Sequence, residues 1–434
     1  MNYPRSCKTF YSAALLLAAT LLVPPLASAA SGEHAKGYLV DVDEVRAVRA
    51  ALDSGEAHPL LVRARDALIE LAQAEMQTPI RPVTHGKDEN PDRIAPSGDP
   101  RDYVSLSPYW WPDPETKTGK PYVRRDGRIN PERHEYDTPK MGAMGRAVRL
   151  LAFAYAVTGE ERYAERAADH LRAWYVEPST RMNPSMRFAQ FVPGVSPGRP
   201  VGIIDTNRMR WVPDSTVLLV GSPHWSESDH RAVQRWFAEY AGWLRTSDLG
   251  LAESRADNNH GTWYDAQLAL ASLHGGDVAS ARRAVESCKS RIDQHIDAEG
   301  NQPHELDRTR SLDYVEFNLR GMLDLARYSE RVGVDLAGYT GPEGESIRLA
   351  LDRVLPALVG REPWPHEQIS PPRTHMYFQT LRQAARLYDD PTYERAIAEL
   401  GGVPDSILWV DLVLPPRHGP AAVGVADGTS DAAE

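Results

Sequence analysis

The sequence predicts an all-α protein, an (α/α) toroid in which an incomplete barrel of helical hairpins carries a long aromatic and basic loop over its groove. From about Val42 onward apolar residues recur three and four apart, the spacing of one helix face, and the turns between are rich in Gly, Asp and Pro. Three segments each read as an apolar helix followed by a more charged one. Strand signals are few, and "DSILWVDLVLP" near the C-terminus is the best of them.

The chain has 434 residues, and its first 29 read as a secretory signal peptide. "MNYPRSCKTF" supplies positive charge, "AALLLAATLLVPPL" a short apolar core and "ASA" the small residues of a cleavage site. A membrane anchor needs about 20 uninterrupted apolar residues, and Pro24 and Pro25 interrupt this run. A soluble, monomeric protein of the periplasm or exterior is therefore expected, with no membrane anchor. Once Cys7 leaves with the signal, Cys288 has no partner for an internal disulfide, so stability must come from a large core. The net charge of −11 argues against nucleic acid and anionic membranes as partners. It leaves room for a polyanionic substrate, because a site can be locally basic.

The folded domain is expected over residues 30–414. Its hairpins are "PKMGAMGRAVRLLAFAYAVTGEERYAERAADHLRAWY", turning at "TGEE"; "NNHGTWYDAQLALASLHGGDVASARRAVESCKSRIDQHI", turning at "HGGD"; and "RTHMYFQTLRQAARLY" with "DDPTYERAIAEL". Such hairpins cannot bury their apolar faces alone and must stack on neighbours. Stacked in a curve, the apolar helices form an inner ring and the charged ones an outer ring. A tetratricopeptide solenoid is disfavoured because the hairpins are unequal and lack its period of about 34 residues. After Pro415 the tail is small, rich in Pro and Gly, and expected to be disordered through residue 434.

Between Gln77 and Tyr136 helical periodicity is almost absent, and a stretch this long inside a compact domain is either functional or disordered. Its aromatics, Tyr103, Tyr109, Trp110, Trp111 and Tyr122, argue for function. In a groove, Tyr109, Trp110 and Trp111 would stack on sugar rings; otherwise they pin the loop to the barrel. From Lys117 to Arg133 six basic residues, among them Arg124 and Arg125, face only Asp126 and Glu132. A carboxylate-bearing substrate would explain that excess, and a solvated hairpin is the plainer alternative.

Two further clusters carry chemistry. "DNNHGTWYDAQ" crowds Asn258, Asn259, His260, Trp263 and Tyr264 at a helix start, where an N-cap explains only Asp257 or Asn258. "NQPHELDRTRSLDYVEFNL" places Arg308, Arg310 and Tyr314 where a loop enters a helix. Asn, His, Arg and Tyr together are the set needed to remove a proton beside a carboxylate. His375 and Tyr377 in "RTHMYFQ" also come within reach of the groove. "HELD" lacks the paired histidines of a zinc helix, so no metal is expected.

"NNH" followed 54 positions later by Tyr314, with the block "SGDPRDYVSLSPYWWPDP…GKPYVRRDGRINPE", resembles the alginate lyase superfamily of polysaccharide lyases. Within it the block resembles the branch holding bacterial mannuronan and glucuronan lyases, over roughly residues 97–388. The resemblance implies an (α/α) toroid and β-elimination by a His/Tyr pair, with neither metal nor cofactor. It assigns Asn259 and His260 to the amide and histidine, Tyr314 to the tyrosine and Arg308 to the arginine. Arg310 is the alternative arginine, because the spacing to the tyrosine is one residue shorter here. The expected substrate is a β-1,4-linked polyuronate, either mannuronan or glucuronan. A toroidal glycoside hydrolase would instead need two flanking carboxylic acids, for which Asp257, Glu305 and Asp313 are candidates. A non-catalytic glycan-binding protein would use Trp110 and Trp111 alone.

Overall fold

The computed structural model describes residues 37–90 and 93–418. The signal peptide expected over residues 1–29 and all but the first four residues of the expected tail lie outside them. Helices α1 (Val42–Ser54) and α2 (Pro59–Met76) open the fold. After the long loop come α3 (Thr138–Thr158) and α4 (Glu161–Leu171), the first expected hairpin, with the chain reversing at Gly159 in left-handed backbone (φ 72°). Next are α5 (Val212–Leu218), α6 (Glu227–Thr246) and the short α7 (Asp248–Glu253). The second hairpin is α8 (Asn259–His274) with α9 (Val278–His295). Then follow α10 (Pro303–Leu306), α11 (Ser311–Ser329) and α12 (Ile347–Leu358). The third hairpin, α13 (Tyr377–Tyr388) with α14 (Pro391–Glu399), precedes α15 (Val410–Val413).

The two kinds of helix differ as the pattern requires. In α8 nearly every residue is buried, whereas α9 buries only Ser280, Ala281, Ala284, Val285, Cys288, Ile292 and His295, a single stripe at helical spacing. Inner helices touch their neighbours in turn: α3 meets α5, α6 meets α8, α8 meets α11, and α11 meets α13. Finally α15 packs on α1 and α2, returning the end of the chain to its start. The result is an (α/α) toroid around one continuous apolar core, with Cys288 buried in it as a free thiol.

The expected C-terminal strand is not there. Asp405–Ile407 is a 3-10 turn and Val410–Val413 is helical. Trp409, Val410, Leu412, Val413 and Leu414 are all buried, so the run lacks the one wet face of a half-buried strand, and Asp411 is drawn inward to Arg382 at 2.6 Å. The chain also holds to the fold past Leu414. Pro415 accepts from Arg386, and the Arg417 and His418 amides donate to Glu394. Among the described residues no helix is long and apolar enough to cross a membrane.

Described residues of the non-periodic segment form two small sheets. Strand β1 (Val104–Leu106) pairs in parallel with β4 (Phe188–Phe191), and β2 (Trp110–Trp111) pairs antiparallel with β3 (Val123–Arg124). Lys87 anchors it, buried to 1%, with its ammonium 2.8 Å from Asp137 and bonded to the carbonyls of Pro100 and Asp102. Asp137 in turn accepts from the Val104 amide and from Lys140.

His170, on α4, is 1% exposed, and neither ring nitrogen has a partner among the described residues. Burial, then the charge of Arg166, lowers its pKa from 6.5 to about 4. The folded value lies below the unfolded one, so the neutral ring favours the fold above pH 6.5 and that contribution is lost as pH falls toward 4. His170→Leu should therefore gain on the wild type by on the order of 2–3 kcal/mol between pH 7.5 and pH 4. Denaturant titrations of both proteins across that range measure the gain, and parallel pH profiles would count against it.

Candidate active site

The first half of the site is the start of α8. Asn258 is its N-cap, the side-chain oxygen accepting from the His260 amide at 3.0 Å. The next amide, that of Asn259, donates to Glu305 at 2.6 Å, and the Asn259 side-chain nitrogen reaches the other Glu305 oxygen at 2.7 Å. A buried carboxylate thus sits at the positive end of the helix. Burial raises the Glu305 pKa, while the two Asn259 bonds oppose the rise. His260 turns away from this pair and brings Nδ1 to Glu253 Oε1 at 2.7 Å. Arg291 holds the intervening loop by donating to the carbonyls of Ser254 and Ala256. Gly261 has to be glycine, because a Cβ there would lie 2.2 Å from the Ala256 oxygen.

The second half joins α11 to the loop. Tyr314 Oη lies 2.6 Å from Tyr109 Oη and accepts from Arg308 Nη2 at 2.9 Å. The Arg308 guanidinium also lies over the Tyr314 ring, 3.8 Å from its centroid. Burial and the neighbouring Tyr109 push the Tyr314 pKa well above the ordinary phenol value, and Arg308 pulls it back. Asp126 collects Arg308 (3.0 Å), Arg124 (2.7 Å) and Thr309 (3.1 Å). Burial alone would raise Asp126, but these cations outweigh it and hold the carboxyl below its usual range. Glu305 lies in the field of both Arg308 and His260, so one buried carboxylate serves both halves.

The geometry separates the two arginines. Arg308 touches Tyr314, whereas Arg310 is the residue that caps α11, its Nε has no partner among the described residues, and its backbone bridges to Gln368. Glu305 relates the Asn258, Asn259 and His260 helix start to the cluster of Tyr109, Arg124, Arg308 and Tyr314, and Asn259 is 0% exposed with its amide nitrogen engaged by Glu305. Trp110 and Trp111 are half-buried in the β2–β3 hairpin. Trp111 donates to the Arg128 carbonyl beneath Arg125, so its ring ties the hairpin together, and Trp110 faces Arg199.

Three expected site residues lie apart from the tyrosine pair. Trp263 is 2% exposed, stacks on Phe317 and donates to the Phe317 carbonyl. Tyr377 is 1% exposed and sits near Asp313 and Arg373. Trp263 and His375 both line a separate arginine-rich cavity. Glu253, Glu305, Asp126 and Arg199 escaped the sequence reading as members of this site. Arg199 senses both Arg124 and Glu253, which places it between the halves. Asp126 was visible only as an acid among bases, and nothing in the chain couples Glu253 to a histidine seven residues on. Two of the three candidate carboxylates of a glycoside hydrolase are not free. Glu305 and Asp313 are each 1% exposed and engaged, by Asn259 and by Arg373.

The profile of the alginate lyase family matches residues 88–364. An alginate lyase from Bacteroides ovatus is 32% identical, with a TM-score of 0.81, over 88% of this chain and 99% of that one. The chain belongs to the alginate lyase family. It is a polysaccharide lyase, which sets aside the hydrolase and the passive glycan binder. Alginate lyase A1-III of Sphingomonas species A1 shares the fold at 16% identity and a TM-score of 0.54, over 88% of this chain and 96% of that one. A substituted form of A1-III, complexed with tetrasaccharide, gives 17% and 0.55 over the same shares. No curated protein sequence matches.

The Glu253 carboxylate, 2.7 Å from His260 Nδ1, can hold the imidazole in one orientation. Glu253→Gln should lower kcat at least about tenfold with a smaller rise in KM, because orientation is needed most in the transition state. Steady-state kinetics with a melting curve as control test this. A change in KM alone would make His260 an ordinary binding group.

Proposed function

We propose that the protein cleaves a β-1,4-linked polyuronate, poly-mannuronate or glucuronan, by β-elimination, leaving a 4,5-unsaturated uronate end. The observation that carries this reading is the Tyr314 hydroxyl, held between a second phenol and a guanidinium. In a 4-linked uronate, H5 is acidic only when the neighbouring carboxylate is neutralised, because otherwise a second negative charge develops beside the first. His260, with Nδ1 against Glu253, can present a protonated Nε2 as a donor to that carboxylate, as donors do in an oxyanion hole. Asn259 supports this by fixing the helix start on Glu305. Arg308 lies on the Tyr314 side and stabilises negative charge on its oxygen.

Tyr314 is a neutral phenol at rest, so it must release a proton to take one. Tyr109 is placed to receive it. Tyr314 Oη takes H5 while its own proton passes to Tyr109, whose proton passes to the glycosidic O4 as the C4–O4 bond breaks. Both tyrosines end as they began, and one proton has moved from C5 to O4. In β-linked mannuronate and glucuronate H5 and O4 can both be reached from one side, so a syn elimination fits this relay. The two sugars differ at C2, away from the reacting bond, and the same groups serve either.

Tyr314→Phe should lower turnover at least a hundredfold, the scale of lost acid–base catalysis, while the fold and polymer affinity stay close to wild type. The assay is ultraviolet absorbance of the conjugated double bond on a panel of polyuronates. A variant keeping more than about a tenth of the wild-type rate would remove Tyr314 from the mechanism. Arg308→Lys should be severely impaired although it keeps the charge, because lysine cannot reproduce the fork that spans Asp126 and the Tyr314 oxygen. Arg310→Lys should be mild, and the reverse order would transfer the role to Arg310. Turnover of a carboxyl-reduced, neutral polymer would overturn the elimination scheme.

A further inference from the structure

A cavity of about 290 Å3 opens among the inner elements, apart from the tyrosine pair, and its wall is unusually cationic for a chain of charge −11. Arg149 of α3, Arg208, Arg210 and Arg320 of α11 line it, with Trp211 and Trp409, and no carboxylate does. Arg210 is neutralised from behind by Asp324 at 2.6 and 2.8 Å, and Arg320 lies 3.8 Å from Glu316. Arg149 has neither a hydrogen bond nor an ion pair among the described residues; its guanidinium rests 4.5 Å from the centroid of the Trp409 ring. Three buried donors on this wall have no acceptor among the described residues: Nε of Arg149, Nε of Arg320 and Nε1 of Trp409.

Four guanidiniums around one cavity with no carboxylate on its wall describe the complement of an anionic group, such as the carboxylate of a sugar acid. Trp211 and Trp409 are each 3% exposed and lie beneath Arg210 and Arg149, so the indoles support the guanidiniums, and the guanidiniums offer forks to an anion. The location agrees with a polymer path. Arg133 stands in the field of both Arg208 on this wall and Tyr109 in the catalytic pair. Burial, then the adjacent Arg210 and Arg146, draws the Arg149 pKa down to about 10, so an arriving anion relieves repulsion.

We infer that this cavity is a carboxylate-binding subsite for a uronate unit of the polymer remote from the bond being cut, with Arg149 as its principal cation. The inference rests on the polyuronate reading of the site. The enzyme should then prefer chains long enough to reach both places. A dimer, held at the tyrosine pair, gains nothing from Arg149.

Calorimetry with Tyr314→Phe protein and uronate oligomers of two to six units tests this. Adding Arg149→Gln should weaken hexamer binding about tenfold or more and leave dimer binding within about twofold, as for one lost charge-assisted contact. Arg208→Gln should act in the same direction and stands in if the first variant does not fold. A carboxyl-reduced hexamer should bind with no dependence on either arginine. Unchanged hexamer affinity in a folded variant, or an equal loss for dimer and hexamer, would overturn the subsite while leaving the lyase reading intact. Absence of ultraviolet-absorbing product from every polyuronate, with the arginine-dependent length effect retained, would overturn the lyase chemistry instead.

Discussion

Lys87 and Asp137, each 1% exposed in its side chain, form the contact on which the catalytic arrangement depends. Taking two charges out of water is costly, and the cost is recovered only when every donor and acceptor finds a partner. Here they do: Lys87 adds the Pro100 and Asp102 carbonyls, and Asp137 adds the Val104 amide and Lys140. The pair joins the long loop to the first turn of α3. Tyr109 follows β1 by three residues, so its hydroxyl can meet Tyr314 only while this anchor holds.

Two buried carboxylates do for the helical side what Asp137 does for the loop. Glu305 and Glu253 receive Asn259 and His260, adjacent residues that point to different partners because they sit about 100° apart around the helix. An amide and an imidazole at a free helix start would sample several rotamers. Tied to carboxylates that are themselves buried, they lose that freedom during folding rather than during catalysis, which is the substance of preorganisation.

Charge in this protein is arranged, not merely summed. The chain is acidic overall, yet Arg199, Arg124 and Arg308 gather near the tyrosines and four more arginines line the neighbouring cavity. Several are balanced from behind by Asp126, Asp324 or Glu316, which limits repulsion while leaving a positive face forward. Such a surface attracts a polyanion without making the whole molecule basic.

The helical hairpins and their inner and outer roles were legible in the sequence, because periodicity and capping are local, whereas the "NNH" helix start and Tyr314 were related only through a family resemblance. The aromatic loop was legible as functional, though its small sheets and its buried lysine were not. The "DSILWVDLVLP" run was misread because a short apolar stretch buried on all sides has no period to read. Glu253, Arg199 and the cationic cavity could come only from tertiary structure. Their partners lie on separate elements, and which carboxylate meets which cation is decided by how helices pack. What the sequence by itself determined was a toroid of hairpins with its reactive side chains; the packing alone decided their pairings and the direction each one faces.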